Sequence, residues 1–215
     1  MALWIVFLIN LIVLISRNAI AADECDQLPE NVDMNYEACC QFPNITDPAV
    51  EKKISDLTKD IKPDAKPTEK YLMACKIAQS VFTEMKLVKD NSVDKDAYSK
   101  MIDSKVKDDA AFWRQPLKDA LDQCQKPITA SGTKITDIFS QPPFNIKKED
   151  CDAQYLVMFL CLHLDTFANC PSQAFKVNDK DPNFKQCSSI QSWFKKCGKD
   201  IDALKKVVER NNPAK

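Results

Sequence analysis

Ten cysteines follow an N-terminal apolar run, and none lies within it: Cys25, Cys39, Cys40, Cys75, Cys124, Cys151, Cys161, Cys170, Cys187 and Cys197. An even number of cysteines behind a secretion signal is expected to form a disulfide framework, here of up to five bridges. Spacing constrains the fold more than number does. If residues 151–170 form one helix, a rise of about 1.5 Å per residue places Cys151 and Cys161 about 15 Å apart, and Cys161 and Cys170 about 13 Å apart. A disulfide needs Cα atoms within about 7 Å. Each of the three must therefore bond outward to a different neighbour, which makes that helix the hub of the fold. Cys187 and Cys197 face the same limit on their own helix. The adjacent pair Cys39-Cys40 is expected to reach two separate partners, because a bond between neighbours is strained. Which cysteine meets which is left open by the sequence.

The apolar run from Met1 to Ile15 is interrupted by Asn10 and stops before Arg17. It is shorter than the roughly 20 residues of a membrane-spanning helix. Ala19-Ile20-Ala21 supplies the small residues that a signal peptidase reads. Residues 1–21 are therefore expected to be a removed signal, and residues 22–215 one soluble, extracellular domain. Loss of Arg17 leaves 29 basic against 31 acidic residues, so there is no electrostatic reason to bind nucleic acid or an anionic membrane.

Only Gly132 and Gly198 are glycines, whereas there are twelve prolines. Tight hairpins and phosphate-cradling loops depend on residues that tolerate positive φ, so β-sandwich and nucleotide-binding α/β folds are disfavoured. Prolines suit turns between helices. Asp47-Pro48 is expected to start a helix, with Asp47 as N-cap, running to about Lys59. A second opens at Pro67-Thr68-Glu69 and turns Tyr71, Ala74, Cys75, Ala78, Phe82 and Met85 inward. A third spans about Val93 to Val106, with Ala97, Met101 and Ile102 inward. A fourth covers about Asp109 to Gln125 and is open to being kinked or divided at Pro116. Residues 127–149 read as a connector. Tyr155 to Leu164 is apolar except for His163, as befits a helix buried on all sides. A helix from Asn183 to Cys197, capped by Gly198, and a last amphipathic turn through Ile201, Leu204 and Val207-Val208 complete the chain. There is no internal repeat.

No short Cys-x2-4-Cys pair suits zinc. Asp179, Asp181 and Asn183 imitate the first ligands of a calcium loop, but Phe184 and Ile190 stand where Gly and Glu are required. No metal or other cofactor is expected. A secreted phospholipase A2 would need a His-Asp pair and a Gly-rich loop beside its paired cysteines; Gln41-Phe42-Pro43 follows Cys39-Cys40 instead. One histidine leaves little material for a nucleophile-base system, so an enzyme is not expected.

The stretch Glu37-Ala38-Cys39-Cys40-Gln41-Phe42-Pro43 and the spacing Cys151-x9-Cys161-x8-Cys170-Pro171 resemble the Plus-C subgroup of insect odorant-binding proteins. The long gaps on either side of Cys124 and the turn Leu87-Val88-Lys89-Asp90-Asn91 resemble it too. The resemblance implies an all-α, compact, disulfide-stapled bundle of about seven to eight helices around an apolar cavity. It implies a secreted, non-enzymatic carrier of small hydrophobic molecules, such as odorants or pheromones, through sensillum lymph to a membrane receptor, as monomer or homodimer. The chain departs from the family near Cys75, where Tyr71 and Gln79 occupy the positions four residues away that would complete a Cys-x3-Cys pair. By resemblance, Cys40 pairs with Cys75 and Cys124 with Cys170. A secreted interaction or scavenger protein, binding lipids, amines or a protein partner, is the alternative.

Phe82, Met85, Phe112, Trp113, Tyr155, Met158, Phe159, Leu162 and Phe167 supply aromatic and flexible Met surface suited to a pocket of varied occupants; ordinary core packing is the competing explanation for each. His163 reads either as a pH switch or as a core histidine. Asn44-Ile45-Thr46 is an N-glycosylation sequon, and its residues also suit local capping.

Overall fold

A computed structural model of the protein describes residues 25–29, 38–59, 62, 64–178 and 180–211. The expected signal at residues 1–21 lies outside the described residues. In chain order come α1 (Pro48–Thr58), α2 (Pro67–Glu84), strands β1 (Val88–Lys89) and β2 (Ser92–Val93), α3 (Lys95–Lys105), a 3-10 turn (Asp108–Trp113), α4 (Arg114–Ala130), α5 (Gly132–Ser140), α6 (Ala153–Ala168), α7 (Phe184–Cys197) and α8 (Ile201–Asn211). Among the described residues, no helix is long and apolar enough to cross a membrane.

α6 is the hub. It packs against α2, α4, α5, α7 and α8, and Leu156, Val157, Met158, Leu164 and Phe167 are buried along it. Burying each such side chain is worth about 1.5–3 kcal/mol. The Asp152 carboxylate accepts the Gln154 N–H at 3.0 Å and starts the helix. Cys151 and Cys170 flank it and Cys161 sits within it. As the spacing requires, all three bond outward: Cys151 to Cys75 on α2, Cys161 to Cys124 on α4, and Cys170 to Cys40. The vicinal pair divides, with Cys39 bonding Cys187 on α7. Cys25–Cys197 completes five bridges.

The pairings Cys40–Cys75 and Cys124–Cys170 are corrected by this arrangement. Residues 39–41 run antiparallel to residues 174–176, with Gln41 N–H donating to Ala174 C=O and Lys176 N–H to Cys39 C=O, both at 2.8 Å. That pairing sets Cys40 beside the C-terminal end of α6, with its Cα 6.2 Å from that of Cys170. α2 meets the other end of α6, where Gln79 Oε1 accepts the Asp152 N–H at 3.3 Å. Cys75, without a helix partner of its own, bonds Cys151 there.

Other expectations change too. Residues 127–149 are not a plain connector. α4 runs through Pro127 to Ala130, and α5 follows, because Ile128, Ile135 and Phe139 are all drawn into the core. The expected fourth helix is divided, between the 3-10 turn ending at Trp113 and α4 beginning at Arg114, and Pro116 lies in the first turn of α4, where its missing N–H is harmless. Asp47 stands at the N-cap of α1, but its carboxylate pairs with Lys105 and does not cap the helix. A tight hairpin forms without glycine. Val88 faces Val93 and Lys89 faces Ser92, and Asp90 and Asn91 take φ of 50° and 60° in the turn. Asx residues are the side chains that tolerate this region best. Gly198 caps α7 at an ordinary φ of −65°; its bareness matters because a Cβ would lie 2.6 Å from the Phe194 carbonyl oxygen.

Candidate functional site

Five segments surround a cavity of about 270 Å³ that is open on one side. The loop 42–46 contributes Phe42, Pro43, Ile45 and Thr46; the end of α2 and the residues after it contribute Val81, Phe82, Met85 and Leu87. Tyr98 and Met101 come from α3, Leu117 from α4, and Phe159, Leu162, His163 and Thr166 from α6. An engineered apolar cavity of about 150 Å³ accommodates benzene, and ligand sites begin near 300 Å³. The space therefore suits a small apolar molecule.

Local structure explains the lining. Loop 42–46 leaves directly from Cys39-Cys40, so two disulfides fix its origin. Its Phe42 ring stacks between Trp113, at 5.9 Å between centroids, and His163, at 5.0 Å. On α3, Asp94 caps the helix by accepting the N–H groups of Asp96 and Ala97 at 2.9 and 3.0 Å. The Arg114 guanidinium holds the Val106 carbonyl at 2.8 Å just past the other end. Capped and anchored in this way, α3 presents Tyr98 and Met101 to the cavity. On α6, Phe159, Leu162, His163 and Thr166 share one face by their three- and four-residue spacing. Burial pushes the Tyr98 phenol far above the usual tyrosine range, with no neighbouring charge contributing. Tyr155 is also raised, by burial and then by the Asp152 charge.

Of the nine residues proposed from sequence, Phe82, Met85, Phe159 and Leu162 border this cavity. Trp113 stands behind Phe42, 1% exposed. Phe112, its neighbour at 6.3 Å, is 38% exposed at the surface. Tyr155 and Met158 adjoin a separate gap of about 20 Å³, and Tyr155 leans on Phe82 with centroids 5.9 Å apart. Phe167 is core, packed edge-on to Phe194. His163 is exposed, not a core histidine, and α6 is not buried all round. One turn apart, Phe159 (41% exposed) and His163 form a strip that the neighbouring helices leave uncovered beside the cavity.

Asn44 is exposed on the lining loop, and its Oδ1 accepts from both the N–H and the hydroxyl of Thr46, at 3.1 and 2.8 Å. Asp181 is a local turn residue that accepts the Asn183 N–H at 2.8 Å. Sequence reasoning missed most of the rest of the lining, Phe42, Tyr98, Met101, Leu117 and Thr166 among it. Tyr98 and Thr166 were within reach: Tyr98 precedes Ile102 by one turn, and Thr166 follows Leu162 by one turn.

A profile of the AgamOBP47-like family matches residues 43–193, a stretch that includes every cavity-lining residue except Phe42. The chain is 24% identical over 177 residues to odorant-binding protein 47 of Anopheles gambiae, covering 77% of this chain and 70% of that one. It is 25% identical over 193 residues to general odorant-binding protein 68 of the same organism, covering 86% of this chain and 82% of that one. No solved structure matches it.

Proposed function

Starting from the fact that this chain belongs to the AgamOBP47-like family of insect odorant-binding proteins, we propose that it is a secreted, non-enzymatic carrier. Residues 1–21 would be removed as a signal, leaving residues 22–215 as one domain. That domain would hold a small hydrophobic molecule in the cavity between loop 42–46, α2, α3 and α6, and carry it through aqueous lymph to a receptor. The observation that carries this reading is the cavity itself: about 270 Å³, with aromatic, aliphatic and Met side chains making up most of its wall. Flexible Met85 and Met101 suit an occupant whose shape varies. Free in water, such a molecule is poorly soluble, and burial of its apolar surface drives uptake at about 25 cal/mol per Å².

Titration of the secreted protein with a fluorescent naphthylamine probe tests the proposal. Saturable, displaceable binding at micromolar concentration is expected. Absence of displaceable binding by any apolar probe would sink the carrier reading.

His163 makes the uptake pH-sensitive in this proposal. It borders the cavity and stacks on Phe42, and an imidazole changes charge between about pH 5 and 8. Protonation places a cation on an apolar rim. Probe affinity is expected to fall from pH 7 to pH 5 in the wild type and to stay level in His163→Gln. An equal fall in both proteins excludes His163 as the sensor.

A second reading, an interaction protein with an apolar partner, draws on the exposed rings of Phe112 and Phe159. Phe159 borders the cavity and Phe112 does not, so the two readings separate: Phe159→Ser weakens the probe under the carrier reading, and Phe112→Ser leaves it unchanged.

A further inference from the structure

Four polar side chains border the cavity: Thr46, Tyr98, His163 and Thr166. The Thr46 hydroxyl is committed, at 2.8 Å to Asn44 Oδ1 and 3.1 Å to Glu51 Oε1. His163 stands at the exposed rim. Tyr98 and Thr166 differ from both. They are only 5% and 3% exposed, and neither hydroxyl has a hydrogen-bond partner among the described residues. Among those residues every fully enclosed side-chain nitrogen or oxygen is paired. The two unpaired hydroxyls must therefore keep some accessible surface, and the space that both residues border is the cavity.

A largely buried hydroxyl without a protein partner is costly unless water or a ligand reaches it. Two such groups on the wall of one apolar cavity are the few placed polar groups that give a binding site its chemical preference. We propose that Tyr98 and Thr166 select an oxygenated cargo: an apolar frame bearing a ketone, aldehyde, ester or alcohol oxygen, and not a plain hydrocarbon. The shared feature of these molecules is an oxygen with lone pairs. Tyr98 is suited to donate to it. Burial holds the phenol neutral well beyond ordinary pH, so its proton is always present. The Thr166 hydroxyl donates to a second lone pair, or accepts from an alcohol. The rest of the cargo meets aliphatic and aromatic wall.

The inference rests on the carrier reading above, and its test separates the two. Octane, 2-octanone and 1-octanol are each used to displace the naphthylamine probe from the wild type and from Tyr98→Phe, Thr166→Val and Thr166→Ser. One ordinary hydrogen bond corresponds to about five-fold in affinity. Tyr98→Phe and Thr166→Val are each expected to weaken 2-octanone and 1-octanol about five-fold and to leave octane unchanged or slightly tighter. Thr166→Ser, which keeps the hydroxyl, restores the oxygenated ligands. Both main variants are close to isosteric, and the octane control reports directly on whether the cavity survives. If all three ligands weaken together, or none does, the two hydroxyls serve packing or bound water and the inference is overturned, while probe binding leaves the carrier reading standing. If the probe does not bind the wild type at all, the carrier reading itself fails.

Discussion

The two long walls of the cavity are built from similar side chains but held by different forces. On one side, loop 42–46 leaves from Cys39 and Cys40, which are bonded to Cys187 and Cys170, and α6 is bonded to α4 through Cys161–Cys124. On the other, α3 carries no cysteine. It is held by the burial of Tyr98 and Ile102 and by ion pairs: Lys105 with Asp47, Lys95 with Asp122 and Asp103 with Lys118. Such partly exposed pairs contribute about 0–1 kcal/mol each, against about 2–4 kcal/mol for a typical disulfide. One wall is thus a fixed template and the other is adjustable. A carrier with varied cargo is served by that division, since only the weakly held wall has to give.

The largest expected effect comes from dismantling the fixed wall. Removing both bridges at the origin of loop 42–46, by Cys39→Ala, Cys40→Ala, Cys170→Ala and Cys187→Ala together, is expected to cost about 4–8 kcal/mol of unfolding free energy in urea titration, at about 2–4 kcal/mol for each bridge. Probe affinity should fall with it, because the origin of loop 42–46 is released. Ile102→Ala attacks the adjustable wall at a side chain of 0% exposure and should cost about 2–5 kcal/mol by the same assay. Equal losses of probe affinity in the two proteins would erase the distinction between the walls. Lys105→Met, which breaks the pair with Asp47, is expected to change stability by no more than about 1 kcal/mol. It should nevertheless speed amide exchange in α3 before that in α6, as measured by hydrogen exchange and mass spectrometry.

The smallest effect is a titration. Among the described tyrosines, Tyr71, Tyr98 and Tyr155 are all raised, each chiefly by burial. A raised folded-state value means that stability is complete below the unfolded tyrosine value, about pH 10, and declines as pH rises beyond it. Absorbance near 295 nm should show Tyr98 ionising last, and only as the protein unfolds. An early, reversible Tyr98 step would mean that α3 opens readily to water.

Much of the frame was legible because its signals are local or covalent. Cys161 within α6 and Cys151 and Cys170 at its two ends are held too far apart to bond one another, so each bonds outward. The starts at Pro48 and Pro67 and the Tyr71–Cys75–Ala78–Phe82 stripe report on single helices, and those helices exist. What was not legible depends on which elements become neighbours. Nothing local tells Cys40 that it will pair with Cys170, because a backbone contact with residues 174–176 decides it. The exposure of Phe159 and His163 arises because the neighbours of α6 run out before its circumference does. In the cavity, Phe82, Met85, Phe159 and Leu162 were accessible as apolar residues on strong helices. Tyr98 and Thr166 were hidden by their polarity, since a search for greasy side chains passes over the hydroxyls on such a wall. The Asp90-Asn91 hairpin escaped an argument built on glycine because Asx side chains reach the same backbone region.

The vicinal pair also bears on the order of biosynthesis. A ribosome makes Cys39 and Cys40 early, but their partners Cys187 and Cys170 come 148 and 130 residues later. No bridge at all can close before Cys151 has been added to reach Cys75, and the last waits for Cys197. For most of its synthesis the chain must therefore carry reduced, reactive thiols past one another. Correct pairing is a task for a chain already made past residue 151, and any truncation upstream of residue 170 leaves both neighbouring thiols without their proper partners.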